Sequence, residues 1–260
     1  MALKSNQHIT TMPSISGQLI VAIGGSAGIG LAVAKLAAAD GVHIAIVSSK
    51  PTRIAAAVET LKTNAPNVRI AGYVCDLRTE DVEARLEKVF TDIIADNKGQ
   101  LIDHIIFTAG TEVATKPLKE INIDLIRKAG HVRFVVPLLV GKLAPRFVKN
   151  NFTSSIVLTT GSAAEKPVNE WSIIALYASG LFAVTRSLAL ELKPIRVNIV
   201  SPAVDTELWQ SKPEILAAFV ENAFMGRVPQ PEEVAEAYIY LMKDTNATSS
   251  VVNTNGGILL

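Results

Sequence analysis

The feature that most constrains this chain is a short run near its start where a strand must turn into a helix through glycine. Leu19-Ile20-Val21-Ala22-Ile23 is continuous and apolar and leads into Gly24-Gly25-Ser26-Ala27-Gly28-Ile29-Gly30, after which an apolar stretch of helical period begins. Glycines at 24, 28 and 30 permit a tight turn, close approach of the backbone to a ligand, and close packing of helix on strand. The free N–H groups of such a helix start carry the positive end of the helix dipole and suit an anionic pyrophosphate. A glycine-rich turn alone is common, but one that follows the first strand and opens the first helix is the context of a dinucleotide site. Gly24, Ser26, Gly28, Ile29 and Gly30 are the residues expected to cradle it.

The rest of the chain repeats the alternation. Strands are expected at Leu19–Gly24, His43–Ser48, Val68–Val74, Ile102–Phe107, Ser155–Thr160, Ile195–Val200 and Ser250–Asn253. Helices are expected at Ile29–Ala39, Thr52–Asn64, Thr79–Ala95, Asp124–Asn150, Glu170–Leu192 and Glu232–Lys243, with Pro137 and Pro145 kinking or interrupting the fourth. Strands apolar on both faces and separated by helices predict an α/β fold: a doubly wound, seven-stranded parallel sheet with helices on both faces. Val204–Arg227 is irregular and sits where a flap would cover a ligand.

At 260 residues, 49% of them hydrophobic, the chain has ample material for one core, so residues 1–17 read as a flexible leader and 18–260 as one dinucleotide-binding domain. A net charge of +1 gives no electrostatic reason to expect nucleic acid or an anionic membrane as a partner. No run of about twenty uninterrupted apolar residues suggests a membrane span. Cys75 is the single cysteine, which excludes an intrachain disulfide and fits a reducing, cytoplasmic setting.

An acidic residue at the end of the second strand would accept the ribose 2′-OH of NAD. The segment here is Val47-Ser48-Ser49-Lys50-Pro51-Thr52-Arg53, without an acid. Ser48, Ser49, Lys50 and Arg53 suit a 2′-phosphate, so NADP(H) is the expected cofactor; the bland alternative is that Lys50 and Arg53 form a solvated helix start.

With these residues in view, the chain resembles the short-chain dehydrogenase/reductase family from Gln18 onward. The loop matches T-G-x-x-x-G-x-G with Ile23 at the threonine, and Thr108-Ala109-Gly110 is similar to the N-A-G element. Arg186-Ser187-Leu188-Ala189-Leu190-Glu191-Leu192, Ile195-Arg196-Val197-Asn198, Ser201-Pro202-Ala203-Val204-Asp205-Thr206 and Asn255-Gly256-Gly257 match further signatures in order. The resemblance implies a Rossmann fold, adenine contacts from Asp76 and Leu77, and cofactor contacts from Ala109, Gly110, Pro202 and Thr206. It also implies a homodimer or homotetramer, with the fourth and sixth helices packing across subunits and Ile258-Leu259-Leu260 near an interface.

The family's Ser, Tyr, Lys and Asn are missing. Counted back from Thr185-Arg186-Ser187-Leu188, the tyrosine position is Ile174 and the lysine position Ala178. The fifth strand puts the serine position on Gly161, thirteen residues before Ile174, which is the family's spacing. The asparagine falls near Arg133. Tyr177 is not a substitute, because Leu181 stands where a lysine would be needed; it reads as a packed helix residue.

Arg133 is the first candidate for a working group, being permanently charged and able to hold a carbonyl, carboxylate or phosphate oxygen. His131, two residues away, should face another direction. Trp171 can stack on a substrate, and Thr160 and Ser162 flank the serine position; packing, or a strand-end cap, is the plain alternative for each. Glu170 reads as a first-turn charge, and Trp209 has the same two readings as Trp171. The pattern resembles a tetrad-lacking branch that includes fungal bifunctional reductases coupled to a Diels–Alder cyclisation in indole-alkaloid biosynthesis, although the acids expected near Thr111 and Val168 are absent. Three functions stay open: reduction by NADPH of an iminium or activated carbonyl in a small, hydrophobic natural product; a cofactor-independent cyclase or isomerase; and a non-catalytic NADP(H)-binding module.

Overall fold

In the computed structural model, which describes residues 12–203, 217, 220–221 and 223–260, the apolar runs become strands, the central ones buried on both faces. β1 (Leu19–Ile23), β4 (His104–Phe107) and β6 (Arg196–Pro202) are buried at every position. With β2 (His43–Ser48), β3 (Ile70–Val74), β5 (Ser155–Thr159) and β7 (Val251–Thr254) they form one seven-stranded sheet in the order β3-β2-β1-β4-β5-β6-β7. All pairings are parallel, and β1 sits between β2 and β4, Ile20 standing opposite Ile44 on one side and His104 on the other. The chain winds outward from β1 to β3 and then outward again from β4, which opens a crevice beyond the carboxyl ends of β1 and β4.

Helices α1 (Gly28–Ala39), α2 (Pro51–Asn64) and α7 (Pro231–Lys243) cover one face through Val33, Ile54, Leu61 and Tyr238. α3 (Val82–Asp96), α5 (Val136–Phe147) and α6 (Ser172–Glu191) cover the other through Phe90, Val140 and Leu188. The short α4 (Ile123–Gly130) precedes α5 at the rim.

Several expected boundaries are corrected. The helix anticipated over Asp124–Asn150 is three pieces: α4, a π-helical turn at His131–Val135, and α5, with Pro137 in the first turn of α5 and Pro145 near its end. It stops at Phe147 because the chain there pairs with Ile102, whose N–H donates to the Phe147 carbonyl at 3.0 Å. The helix anticipated from Glu170 begins at Ser172, since Glu170 is left-handed (φ 65°) and Trp171 occupies the N-cap. Packed chain already begins at Ile15, which is buried, and Gly17 N–H donates to the Gly41 carbonyl at 2.9 Å, ahead of the boundary expected at 18. The N-terminal part of the expected leader and most of the expected flap, including Thr206 and Trp209, lie outside the described residues. Among the described residues α6 is long and apolar enough to cross a membrane by length and composition, although polar residues interrupt its apolar run. Arg186 and Glu191 are its only charges, and it packs along β6.

Candidate functional site

The crevice at the carboxyl edge of the sheet is a cleft of about 780 Å³. At its centre, Gly24 is left-handed (φ 91°), and a Cβ there would lie 2.5 Å from Ala109 N and 2.7 Å from Ala109 Cα. No other residue fits between β1 and β4 at that point. Gly30 is equally confined, because a Cβ would fall 2.5 Å from the Gly24 carbonyl oxygen and overlap the Thr108 hydroxyl. Thr108 closes the seam between the two strands, its N–H donating to the Ile23 carbonyl at 2.9 Å. The first turn of α1 carries neither a side-chain cap nor an acidic residue, and Gly28, Ile29 and Gly30 line the cleft. Uncapped N–H groups are thus left for an anion, in a cradle that added side chains would fill. The residues present fit a dinucleotide.

One end of the cleft is formed by the end of β2 and the start of α2. Ser26 and Ser48 share a hydroxyl–hydroxyl bond of 2.8 Å, with Ser49, Lys50 and Arg53 beyond. Beside it, after β3, lie Cys75, Asp76 and Leu77, Cys75 N–H donating to the Ser48 carbonyl at 2.8 Å. The buried Cys75 thiol is pushed up to about 11, chiefly by desolvation, and is unreactive near neutrality. Both oxygens of Asp76 are engaged by Arg78, Nε to Oδ1 at 2.9 Å and Nη2 to Oδ2 at 2.7 Å. This fork lowers the Asp76 carboxyl to about 2. Arg78 also lines the cleft and was missed from sequence, although a cation directly after Asp76-Leu77 is visible there.

The other end gathers the positions counted as degenerate. Gly161, Ile174 and Ala178 all line the cleft, together with Arg133, Thr160, Ser162 and Trp171. A side cavity of about 50 Å³ opens among Phe107, Ile173, Ile174, Tyr177, Ala178 and Leu181. Arg133 reaches in from the π-helical turn, and its Nη2 donates to the Thr111 carbonyl. Its guanidinium lies so close to Gly110 that a Cβ there would sit 3.2 Å from Nη2. Desolvation lowers the Arg133 pKa from its ordinary value, with no carboxylate contributing to the shift. This leaves a half-buried cation whose guanidinium bonds to a carbonyl, a group suited to gripping a ligand oxygen.

Thr160 turns its hydroxyl to the Ala178 carbonyl at 2.8 Å, so it joins β5 to α6 and its proton is committed to the backbone. Trp171 is buried at the start of α6. Tyr177 donates to the Ile126 carbonyl at 2.9 Å, as a packed tyrosine should. His131 does not line the cleft beside Arg133, in line with helical geometry. Glu112, two residues beyond Gly110, borders both the cleft and the side cavity. This corrects the expectation that the acid near Thr111 is missing: an acid stands one residue along, at Glu112, which a match made at position 111 alone passes over. All the anticipated cofactor and catalytic residues within the described chain border this one cleft, whereas Thr206 lies outside the described residues.

A family model described as an SDR-like Rossmann domain matches residues 14–260. The chain is 43% identical over 254 residues to the short-chain dehydrogenase/reductase ATR9 of Stachybotrys chlorohalonatus, covering 96% of this chain and all of the relative. Among solved structures, the MalC reductase/Diels-Alderase of Malbranchea aurantiaca superposes with a TM-score of 0.88 at 36% identity, covering 94% of this chain and 97% of MalC. A short-chain dehydrogenase of Burkholderia cenocepacia solved with NADP shares the fold at 22% identity, with a TM-score of 0.86 over 95% of this chain and the whole of that one.

Proposed function

The chain belongs to the short-chain dehydrogenase/reductase family, whose fold binds a nicotinamide cofactor, and from this we propose that it is an NADPH-dependent reductase of a small, hydrophobic substrate. The reacting group on this reading is an iminium or an activated carbonyl. One observation carries it: the phosphate cradle is complete, while Gly161, Ile174 and Ala178 stand where a proton relay would be. Bound in the cradle, the reduced cofactor would supply hydride. An iminium carbon that accepts hydride becomes a neutral amine and needs no proton on a heteroatom, so the reaction tolerates the loss of tyrosine and lysine. An activated carbonyl would leave an oxyanion, and Arg133 is the group able to hold it.

The chain's own residues then bind and orient. Ile174, Ala178 and Leu181 offer apolar wall, Trp171 a buried ring, Arg133 a grip on oxygen, and Glu112 a negative charge near a cationic carbon. Preference for NADP(H) is supported by Ser48, Ser49, Lys50 and Arg53 at the end of β2 with no acid among them, and by Arg78, which borders the same cleft after the neighbouring β3. The free, buried Cys75 suits a cytoplasmic setting. A homodimer or homotetramer is supported by exposed apolar residues on α5 and α6.

A second reading, cyclisation in the same pocket, is favoured by the similarity to MalC, a reductase/Diels-Alderase. The test is to titrate the protein with NADPH and NADH by calorimetry and then supply N-methyl-3,4-dihydroisoquinolinium, further cyclic iminium salts and activated ketones. Tighter NADPH binding with substrate-dependent NADPH oxidation is expected. NADPH binding without oxidation of any substrate would overturn the reductase reading, and product formed without loss of NADPH would establish the cyclase.

A further inference from the structure

We propose that Tyr177 is a positioning residue: with Phe134 it holds the π-helical turn that delivers Arg133 to the cleft. The inference rests on the role given to Arg133 above, but it is argued from separate observations. A π-helical turn is an uncommon, isolated feature that local sequence does not sustain. Here Val136 N–H reaches back to the His131 carbonyl, and Pro137 has no N–H to offer the Arg133 carbonyl. These features permit the wide turn without enforcing it. A π-turn inserts one residue, so its relaxation would rotate the face presented to the cleft by roughly 100°.

What enforces the turn is packing from α6. Tyr177 Oη donates to the Ile126 carbonyl, 2.9 Å away on α4. The ring of Tyr177 rests where a side chain on Gly130 would be, and an added Cβ would overlap it. Reciprocally, Phe134 rests on Gly180 of α6, where a Cβ would come within 2.7 Å of Cε2. The two rings meet at 5.5 Å and 47°. Each side therefore yields a glycine to an aromatic ring of the other, Gly130 just before the turn to Tyr177 and Gly180 of α6 to Phe134 within it. Arg133 lies between these two anchors in sequence, with its guanidinium on the Thr111 carbonyl and against Gly110. Although Tyr177 borders the side cavity, its proton is already given to Ile126, which fits support rather than proton donation to a ligand.

The experiment follows the Arg133 guanidinium by ¹⁵N NMR in the full-length protein, its signal identified by loss in Arg133→Lys. In the native protein a half-buried guanidinium held on the Thr111 carbonyl and against Gly110 exchanges its protons slowly. Tyr177→Phe, which keeps the ring and removes the hydroxyl, is expected to accelerate that exchange at least tenfold, and Gly130→Ala at least as much. Tyr73→Phe removes a comparable half-buried hydroxyl bond, to Asp96 at 2.9 Å, far from the turn, and should change nothing. Exchange as slow in Tyr177→Phe as in the native protein would overturn the proposal. Equal acceleration in Tyr73→Phe would also overturn it, by tracing the effect to general loosening. Since no substrate is needed, the outcome is separable from the reading of Arg133: faster exchange in Tyr177→Phe with turnover intact in Arg133→Leu would keep the positioning role and reject the catalytic one.

Discussion

Single residues decide whether the cleft works. Gly28 opens α1 with φ 50° at an uncapped helix start, facing the cleft. Aspartate is among the few side chains that accept a left-handed backbone, so Gly28→Asp should fold. Its carboxylate would satisfy the helix N-terminus that otherwise meets phosphate. We expect the Kd for NADPH to rise about tenfold or more, at least ~1.4 kcal/mol, with the thermal midpoint retained, measured by calorimetry and melting on the same samples. At the opposite end, Arg133→Leu removes a half-buried cation whose pKa is already lowered by desolvation. A charge-assisted bond to substrate is worth about 1.5–3 kcal/mol, so kcat/KM should fall roughly 10- to 100-fold while NADPH binding is unchanged. An equal loss of NADPH affinity would mean that Arg133 serves the cofactor instead.

At the scale of elements, β6 and α7 are joined by a side chain rather than by the sheet. Arg196 is buried, and its guanidinium donates to the Leu241 carbonyl at 2.7 Å and the Met242 carbonyl at 3.0 Å in the last turn of α7, and to the Phe152 carbonyl at 2.7 Å. It is a C-cap reaching across from a strand. Asn198 adds a bond to the Ala247 carbonyl at 2.8 Å and accepts Ser250 N–H at 3.0 Å, tying in β7. The arginine and asparagine of Ile195-Arg196-Val197-Asn198 thus act as fasteners between elements. Arg196→Met would strand several buried carbonyls, and at about 1–3 kcal/mol for each the thermal midpoint should fall by roughly 5–15 °C, with NADPH affinity intact in the folded fraction. How much of this can be read from sequence follows from what each element depends on. The strands and the glycine cradle are legible because two-sided apolar runs and glycine spacing are local, and the cleft residues followed from their order along the chain. The broken helix at 124–150 is not, since its π-turn depends on glycine–aromatic packing from α6, more than forty residues away. Glu170 is opaque for the same reason: its left-handed backbone is held by Lys116 N–H on its carbonyl at 3.1 Å, a contact between two loops.

For the whole molecule, acid is the first stress to consider. His104 is fully buried at the start of β4, where Ser155 Oγ lies 2.8 Å from Nδ1 and Gln18 Oε1 lies 2.6 Å from Nε2. Because Gln18 Oε1 only accepts, Nε2 carries the proton and Nδ1 accepts from Ser155. Burial lowers the His104 pKa from 6.5 to about 3, with Arg196 and Lys149 adding in the same direction. Its stability contribution is therefore complete above pH 6.5 and is lost as pH falls toward 3, because the unfolded chain then binds the extra proton. Unfolding free energy should drop by ~2 kcal/mol between pH 7 and 5, and His104→Gln should flatten most of that slope; His43, lowered by burial and then Arg69, adds a smaller part of the same sign. The second whole-molecule property is assembly. Leu138 on α5 is 48% exposed, and Leu176 and Leu190 on α6 are 57% and 70% exposed. Such apolar residues on neighbouring helices are what a subunit interface covers. Light scattering after size exclusion should give at least twice the 27.7 kDa chain mass, and Leu138→Glu combined with Leu190→Glu should reduce it to the monomer. That pair of substitutions lies away from the residues lining the cradle, so NADPH affinity should survive dissociation. The π-turn is different, because Val135, its last residue, is 43% exposed and directly precedes α5. If the interface also braces that turn, the monomer should bind NADPH normally and turn substrate over more slowly; a monomer of undiminished kcat would mean that α6 alone holds Arg133 in place.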